Sequence, residues 1–351
     1  MAVVHQFLPT LSPRDAVGNS TLELHQLLLD MGHDARLYAA NIHWELMNIA
    51  RPLTELPDDE NWCIYHHSIG GVAGDAYEAR LGGRILVYHN ITPIELLERW
   101  SGDVGAEITL GRDQLSRYAS ITDVAVCDSD YNRHEVDVLD YPNTTTIPVM
   151  FEPGRLQHVD ATKPNGSPTR VLFVGRLAPN KAQHELVAML SVLRQRHDPL
   201  AELHLVGSAT FGSYAQAMKD YVEHLGLERA VKIHDGVSDD ELASQYALAD
   251  VFVCVSDHEG FCVPLIEAMH HGVPVIAFDS TAVAGTLGDA GLLLTSKSPD
   301  IVADAVARVV STPDLAQQMR TRGRSRAEHF SLDNTRRAWT EVIEATIGAA
   351  R

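Results

Sequence analysis

The chain has 351 residues, room for two domains of ordinary size, and its 45% hydrophobic and 21% charged content is that of folded protein rather than disorder. A formal net charge of -19 argues against nonspecific nucleic-acid binding, which needs clustered Lys and Arg, and against a polybasic membrane anchor. The imbalance is uneven: residues 1–150 hold nine Arg, no Lys and 22 acids, a net of -13 against -6 for the remainder, so the second half is the better place to look for an anionic ligand.

Short apolar strands alternate with amphipathic helices, the pattern of parallel α/β layers. A first strand is predicted over Ala2 to Leu8, followed by a turn-rich stretch from Pro9 to Asn19. A helix starts near Ser20, with Leu24, Leu27, Leu28 and Met31 on one stripe and Gly32 as its stop. Further strands are predicted at Arg36 to Ala40, Trp62 to Tyr65, Arg84 to Tyr88, Val124 to Cys127 and Thr145 to Ile147. The stretch 151–168 is rich in Pro and Gly (Pro153, Gly154, Pro164, Asn165, Gly166, Pro168) and reads as a linker. The alternation then restarts, with strands at Arg170 to Val174, Leu203 to Val206, Val231 to His234, Val251 to Val255, Val275 to Phe278 and Gly291 to Leu294. Helices are predicted over Lys181 to Arg196, Ile301 to Val310 and Leu315 to Phe330, with a last one from about Asp333 to Ala345. Two domains follow, 1–155 and 156–332, and open α/β sheets bind ligands at the carboxyl ends of their strands.

Cys63, Cys127, Cys254 and Cys262 form no close pair, so neither a disulfide framework nor a zinc knuckle is expected, and a reducing cytosol is the simple setting. The first residues lack a basic segment followed by a long apolar run, and no stretch approaches the roughly 18 apolar residues of a transmembrane helix. A cytoplasmic protein is therefore expected, with peripheral docking at the inner membrane face left open. The 18 His residues invite a metal, yet His66-His67 and His270-His271 are adjacent rather than four apart and no His-Glu-x-x-His occurs. His270 and His271 suit a helix end near Gly272.

The most informative stretch runs from Ser256 to Ala277. It opens after an apolar strand. Gly260 permits a sharp turn, Pro264 suits a first helical turn, and Gly272 suits the exit. Amides near Cys262 and Val263 would then point out of a helix N-terminus, an anion site. Glu259 lies on the loop before that helix and Glu267 about one turn inside it; two acids bracketing a turn at a strand-to-helix junction favour function over ordinary surface placement. In the second stretch, Val171 to Lys181, Gly175 lets the backbone approach a ligand while Arg176 and Lys181 leave the strand together, a forked donor and a compact charge suited to phosphate oxygens. Neither a Walker loop nor a Gly-x-Gly-x-x-Gly fingerprint is present.

Glu259 and Glu267 flanking seven residues, then Ala-Met-x-x-Gly-x-Pro-Val-Ile-Ala, together with Gly175-Arg176 and Lys181, resemble the retaining nucleotide-sugar glycosyltransferases of family 4. The resemblance covers nearly all of 170–330, and Gly18, His66-His67-Ser68-Ile69-Gly70-Gly71 and His89-Asn90-Ile91-Thr92-Pro93 are the pieces of the first half that suit it. Two departures stand out: Cys262 occupies a position where Gly is frequent, and Ala282 to Thr286 lacks a Glu often found there. The resemblance implies a GT-B fold, two Rossmann-like domains facing across a cleft, with the last helix (333–351) crossing back onto the first. It implies Glu267 on the donor ribose, and Glu259 on the sugar hydroxyls. Phe261, Cys262 and Val263 beside Gly260 would present amides, Arg176 and Lys181 would hold the diphosphate, and His89 would lie near the transferred sugar. Gly18 would let a loop approach the phosphates, and Gly207, Gly236 and Val237 would border the nucleoside. Asp128-Ser129 either faces the acceptor or caps the next helix.

The activity so implied is retaining, metal-independent hexosyl transfer from a nucleotide diphosphate sugar to a glycan, a glycolipid or a small glycoside. It needs no added cofactor, because the sugar nucleotide is a substrate and no Asp-x-Asp cluster demands a cation. Rival readings are a phosphorylase or nucleotide-sugar epimerase of the same fold, or a catalytically silent sugar-nucleotide-binding protein. Oligomeric state is open.

Overall fold

The computed structural model describes residues 1–152, 156, 159, 163–164 and 166–348. Half of the expected linker, Pro153, Gly154 and Asn165 included, lies outside the described residues. The chain forms two compact units. The first comprises Met1–Glu98, Gly102–Phe151 and Phe330–Arg351, the second Arg99–Ser101 and Glu152–His329. These limits differ by a few residues from 155/156 and 332/333, and the three residues 99–101 join the second unit.

In the first unit the order is β1 (Val3–Leu11), α1 (Ala16–Asp30), β2 (Asp34–Ile42), β3 (Arg51–Pro52), β4 (Trp62–His67), α2 (Val72–Ala79), β5 (Arg84–Tyr88), α3 (Gly102–Tyr118), β6 (Val124–Cys127), α4 (Asp130–Asp137) and β7 (Thr144–Thr146). The strands make one sheet in the order β3-β2-β1-β4-β5-β6-β7, parallel throughout. The expected turn-rich stretch after the first strand is shorter than its composition suggests. Strand β1 runs on to Leu11 because Thr10 and Leu11 stay in register with Asn41 and Ile42. Helix α1 starts at Ala16, capped by the Asp15 carboxylate, which accepts the Gly18 N–H at 3.0 Å.

The second unit holds β8 (Arg170–Val174), α5 (Gln183–Arg196), β9 (Glu202–Val206), α6 (Gly212–His224), β10 (Val231–His234), α7 (Asp239–Leu248), β11 (Val251–Cys254), α8 (Val263–His270), β12 (Val275–Phe278), α9 (Val283–Leu287), β13 (Leu292–Leu294), α10 (Pro299–Ser311) and α11 (Pro313–His329). Its sheet runs β10-β9-β8-β11-β12-β13, again parallel. The predicted helix over Lys181 to Arg196 begins two residues late. Pro179–Lys181 is a tight 3-10 turn, and Ala182 is left-handed at φ 51°, which breaks the spiral before α5.

Helix α12 (Leu332–Thr346) belongs to the first unit. Its buried Trp339 and Ile343 join Leu24, Leu27 and Leu28 of α1 and Ile64, Ile85 and Val87 of the sheet in one core. Fully burying side chains of this size stabilises by about 1.5–3 kcal/mol each, which fixes the helix more firmly than the surface pair Arg336–Asp30.

In both sheets the strand order reverses at one place: between β1 and β4, and between β8 and β11. Successive connections leave in opposite directions there, opening a crevice beyond the carboxyl ends of the two strands. The Gly175-Arg176 loop follows β8 and the Glu259 loop follows β11, so the two stretches singled out in the sequence flank the switch point of the second sheet.

Candidate functional site

The second unit brings the two stretches together. Lys181 Nζ lies 2.6 Å from Glu259 Oε2, with side-chain exposures of 17% and 8%. The loops that carry them are tied by main chain. The Asp257 N–H donates to the Asn180 carbonyl at 2.8 Å, and Asn180 Nδ2 donates to the His258 carbonyl at 3.3 Å. Glu259 is gripped on its other side by Thr281, whose hydroxyl accepts the Glu259 N–H at 2.9 Å and donates to the Glu259 carbonyl at 2.8 Å. Phe261 is buried, and its carbonyl accepts the Thr286 hydroxyl at 2.6 Å. Gly260 is half-buried between them, and Val263 opens α8.

Gly175 and Gly207 leave β8 and β9 with φ of 154° and 148°, a backbone region that L side chains rarely adopt. A Cβ at Gly207 would stand 2.2 Å from the Gly175 carbonyl oxygen, so the two strand ends can meet only as glycines. Arg176 follows Gly175, is exposed, and makes no ion pair among the described residues. One cation at the switch point is therefore held by a carboxylate and the other is open. Gly236, exposed at φ 66°, and half-buried Val237 lie one strand further out, just before the capping box of Ser238 and Glu241 that starts α7.

Glu267 is buried on α8. It is 4% exposed, and the Tyr246 hydroxyl of α7 donates to its Oε2 at 2.7 Å. Tyr246 is stacked on the His271 ring, centroids 5.2 Å apart. His270 ends α8 and His271 caps it, as the sequence suggests. Cys254 and Cys262, eight apart and read as unpaired, stand with their sulfurs 4.0 Å apart. The strand-loop-helix reversal folds the chain back on itself and returns Cys262 to the end of β11. Cys262 is left-handed at φ 73°, which accounts for the frequency of Gly at such a position. The hydrogen bond with Cys254, and burial with it, hold the Cys262 thiol well above its ordinary value.

The first unit carries a second polar cluster, and here two expectations need correction. Gly18 is not in a loop: it is buried in the first turn of α1, its N–H engaged by Asp15, and a Cβ would stand 2.5 Å from the Ser12 carbonyl. Its small size lets the strand-to-helix loop close. His89 does not present an open ring nitrogen to a sugar. Its Nδ1 is 2.7 Å from Asp128 Oδ2, its Nε2 is 2.8 Å from His66 Nδ1, and its side chain is 1% exposed. The chain continues through His66 Nε2 to Gln6 Nε2 at 2.9 Å, and from that amide to the Thr21 carbonyl at 2.8 Å.

The direction of every proton in this chain is fixed by its end. Thr21 offers only a carbonyl oxygen, so the Gln6 atom beside it is the NH2 group, which then also donates to His66 Nε2. His66 must carry its proton on Nδ1 and donate to His89, and His89 must carry its own on Nδ1 and donate to the Asp128 carboxylate. Burial, with His89 alongside, holds His66 well below its ordinary value, in keeping with a neutral ring. Asp128 thus orients His89, while Ser129 caps α4 by accepting the Asn132 N–H, which is the capping alternative for that dipeptide. Asn90, next to His89, is buried and left-handed at φ 75°.

Residues 155–326 match the family model of glycosyl transferases group 1. That segment is similar to the family over its whole length. A GDP-mannose-dependent alpha-(1-6)-phosphatidylinositol monomannoside mannosyltransferase of Mycobacterium tuberculosis is 32% identical over 235 residues, 62% of this chain and 60% of the relative. A D-inositol 3-phosphate glycosyltransferase of Streptomyces griseus is 29% identical over 187 residues, 51% of this chain and 40% of the relative. The chain thus spans 60% or less of the length of these relatives. Among solved structures, Anabaena Alr3699/HepE in complex with UDP and glucose superposes with a TM-score of 0.74 at 16% identity, covering 98% of this chain and 100% of that one. Sucrose-phosphate synthase from Thermosynechococcus elongatus gives a TM-score of 0.79 at 17% identity over 99% and 100%. The fold is GT-B, with its two Rossmann-like units.

Within the segment that matches group 1, Tyr246 and Thr281 are the site residues that sequence reasoning missed. Each reaches its acid from a different element, and nothing in the local pattern of α7 or of the loop after β12 marks it. Gln6 of the first unit was missed for the same reason, whereas His66 belongs to a stretch that the resemblance marks. Among the described residues, no helix is long and apolar enough to cross a membrane.

Proposed function

We propose that the chain is a retaining hexosyltransferase that moves a sugar from a nucleotide diphosphate sugar to a hydroxyl of a glycan, glycolipid or small glycoside, without a required divalent cation, on the cytoplasmic side of the cell. The observation that carries the reading is the meeting of Lys181 and Glu259 at 2.6 Å, with Arg176 on the loop that follows β8, at the switch point of a sheet in the segment that matches group 1. Two carboxylates and two cations of this kind suit a sugar-bearing diphosphate. Glu267, oriented by Tyr246, accepts from ribose hydroxyls, and Glu259 accepts from the sugar. Arg176 and Lys181 face the charge that grows on the departing diphosphate, where fixed donors are each worth roughly 100-fold or more in turnover. The acceptor oxygen attacks the anomeric carbon on the face from which the diphosphate leaves, and its proton passes to a phosphate oxygen of that leaving group. The anomeric configuration is thereby kept. The buried His89–Asp128 pair positions the loop after β5 rather than donating to substrate through the ring.

The names of the relatives make GDP-mannose and inositol-bearing acceptors the first pair to try. Calorimetric titration with uridine, guanosine, adenosine and thymidine diphosphates and their sugars should find one preferred donor. Product analysis by NMR should then find the anomeric configuration of the donor retained, with chelator leaving the rate unchanged. Release of a sugar phosphate from a glycan in the presence of inorganic phosphate, with no nucleotide bound, would replace this reading with a phosphorylase.

A further inference from the structure

Cys254 ends β11 fully buried, and Cys262 precedes α8 with 7% of its surface exposed. Their sulfurs are 4.0 Å apart, and a carboxylate oxygen of Glu259 completes a group whose three ligand atoms all lie within 4.8 Å of one another. Two thiolates on one tetrahedral ion, each about 2.3 Å from it, stand roughly 3.8 Å apart, so the sulfurs are already placed for a shared cation. A disulfide, by contrast, requires about 2.05 Å and would draw a strand end and a helix cap together by about 2 Å. The left-handed backbone of Cys262 holds its sulfur inward, although glycine suits that conformation better.

Charge points the same way. In the cation-free site Lys181 balances Glu259. Two thiolates would in turn balance a divalent ion, so the loaded cluster of two thiolates, one carboxylate, one ammonium and the ion also sums to zero. A buried cluster that stays neutral avoids the desolvation cost of an uncompensated charge. Two sulfurs and one oxygen favour a thiophilic ion over magnesium or calcium, whose ligands are oxygens.

We propose that Cys254, Cys262 and Glu259 form a three-ligand site for a thiophilic divalent cation of the zinc class, with the fourth position left to water. Binding draws Glu259 away from Lys181. If Glu259 holds the donor sugar, a point that rests on the function proposed above, the ion and the donor compete, and the site makes the enzyme zinc-inhibited.

The test does not depend on turnover. The reduced, chelator-treated full chain is titrated with cobalt(II), whose thiolate charge-transfer band in the near ultraviolet reports Cys–metal bonds. One equivalent is expected to raise that band, and zinc should abolish it by displacement. Cys254→Ala and Cys262→Gly, the latter suited to φ 73°, should each lower the band by about half and weaken binding by about tenfold or more, as loss of a supporting ligand group does elsewhere. Glu259→Gln should keep the band per bound ion but weaken binding. Circular dichroism and melting confirm the fold of each variant; should Cys254→Ala fail to fold, Cys254→Ser with its weakly ligating hydroxyl replaces it. Absence of the band in the wild type, or a band undiminished in both cysteine variants, overturns the site. A normal band with nucleotide-sugar affinity indifferent to zinc keeps the site and overturns the competition alone.

Discussion

Replacing Lys181 by Met separates what the Lys181–Glu259 pair does for the fold from what it does for a ligand. At 2.6 Å, with side chains 17% and 8% exposed, the pair is close to buried. Removing one partner of a buried pair costs about 3–5 kcal/mol because the other charge is left uncompensated, and the residual exposure of Lys181 puts this pair near 3 kcal/mol. In a unit of this size each kcal/mol lowers Tm by roughly 2–4 °C, so Lys181→Met should melt about 6–12 °C lower. Glu259→Gln keeps an acceptor for the ammonium and should lose less. The double variant strands no charge and should regain about 2 kcal/mol relative to the sum of the two singles, within the range measured for contacting residues. The assay is urea denaturation of the four ligand-free proteins followed by circular dichroism, with nucleoside diphosphate affinity measured alongside. A charge-assisted contact of about 1.5–3 kcal/mol means that Lys181→Met binds the diphosphate at least roughly tenfold more weakly. Stability should return in the double variant and affinity should not. Losses that simply add, with a coupling below about 0.5 kcal/mol, refute the pairing; affinity equal to wild type in Lys181→Met refutes its place on the diphosphate.

Arg176 makes the complementary case. It is exposed and makes no ion pair among the described residues, so Arg176→Ala should leave stability within about 0.5 kcal/mol of wild type while weakening diphosphate binding by about tenfold or more. Arg176→Lys should recover only part of that affinity, because the forked donor is lost; calorimetry and melting decide both points. Tyr246→Phe deletes the hydroxyl that donates to Glu267 and should cost about 1.5–3 kcal/mol in denaturation experiments, with weaker nucleotide binding and no loss of helix content by circular dichroism. Gly207→Ala should be among the most disruptive single-methyl changes in the chain, costing about 1–3 kcal/mol in backbone strain before the 2.2 Å clash is counted; unaltered melting would contradict the close approach of β8 and β9. Burial lowers His67 from an ordinary 6.5 to about 4. Between those values the unfolded chain binds more protons than the folded one, so stability should rise with pH through that window and be lost as pH falls from 6.5 toward 4. The group contributes on the order of 3 kcal/mol, and His67→Gln should flatten the slope of a pH series of denaturation curves.

The placement of the acids and cations of the second unit on the fold was legible because its evidence is local. Glu259, Glu267, Arg176 and Lys181 sit at strand-to-helix junctions, where a few residues of sequence determine both the turn and the chemistry. What was illegible depends on contacts between elements remote in sequence. Tyr246 lies on a helix whose apolar pattern reads as ordinary core, and only the packing of α7 on α8 makes its hydroxyl a partner of Glu267. The 60-residue separation of Gln6 and His66 hides a chain of proton donors that the adjacency of β1 and β4 makes inevitable. Composition misled once: Pro9 to Asn19 looks like a long loop, yet pairing with β2 carries the strand through it to Leu11. Spacing misled once as well, because eight residues that turn back through a left-handed cap bring Cys254 and Cys262 together.

The charge asymmetry of the chain acquires a structural meaning from these contacts. In the first unit, Arg36, Arg80, Arg112 and Arg117 each face an acid, so these four cations are already engaged within the unit. The second unit keeps Arg176 open and holds Lys181 with a carboxylate that can accept sugar hydroxyls. On the function proposed above, a diphosphate arriving at β8 would meet Arg176 first, whereas Lys181 would have to exchange part of its contact with Glu259 for the phosphate. That exchange would orient both groups in a single step, the ammonium toward the leaving group and the carboxylate toward the sugar. In the ligand-free protein each supplies the counter-charge that keeps the other stable in a nearly buried position, so on that proposal the same two residues would serve both the stability of the loop and its response to a ligand.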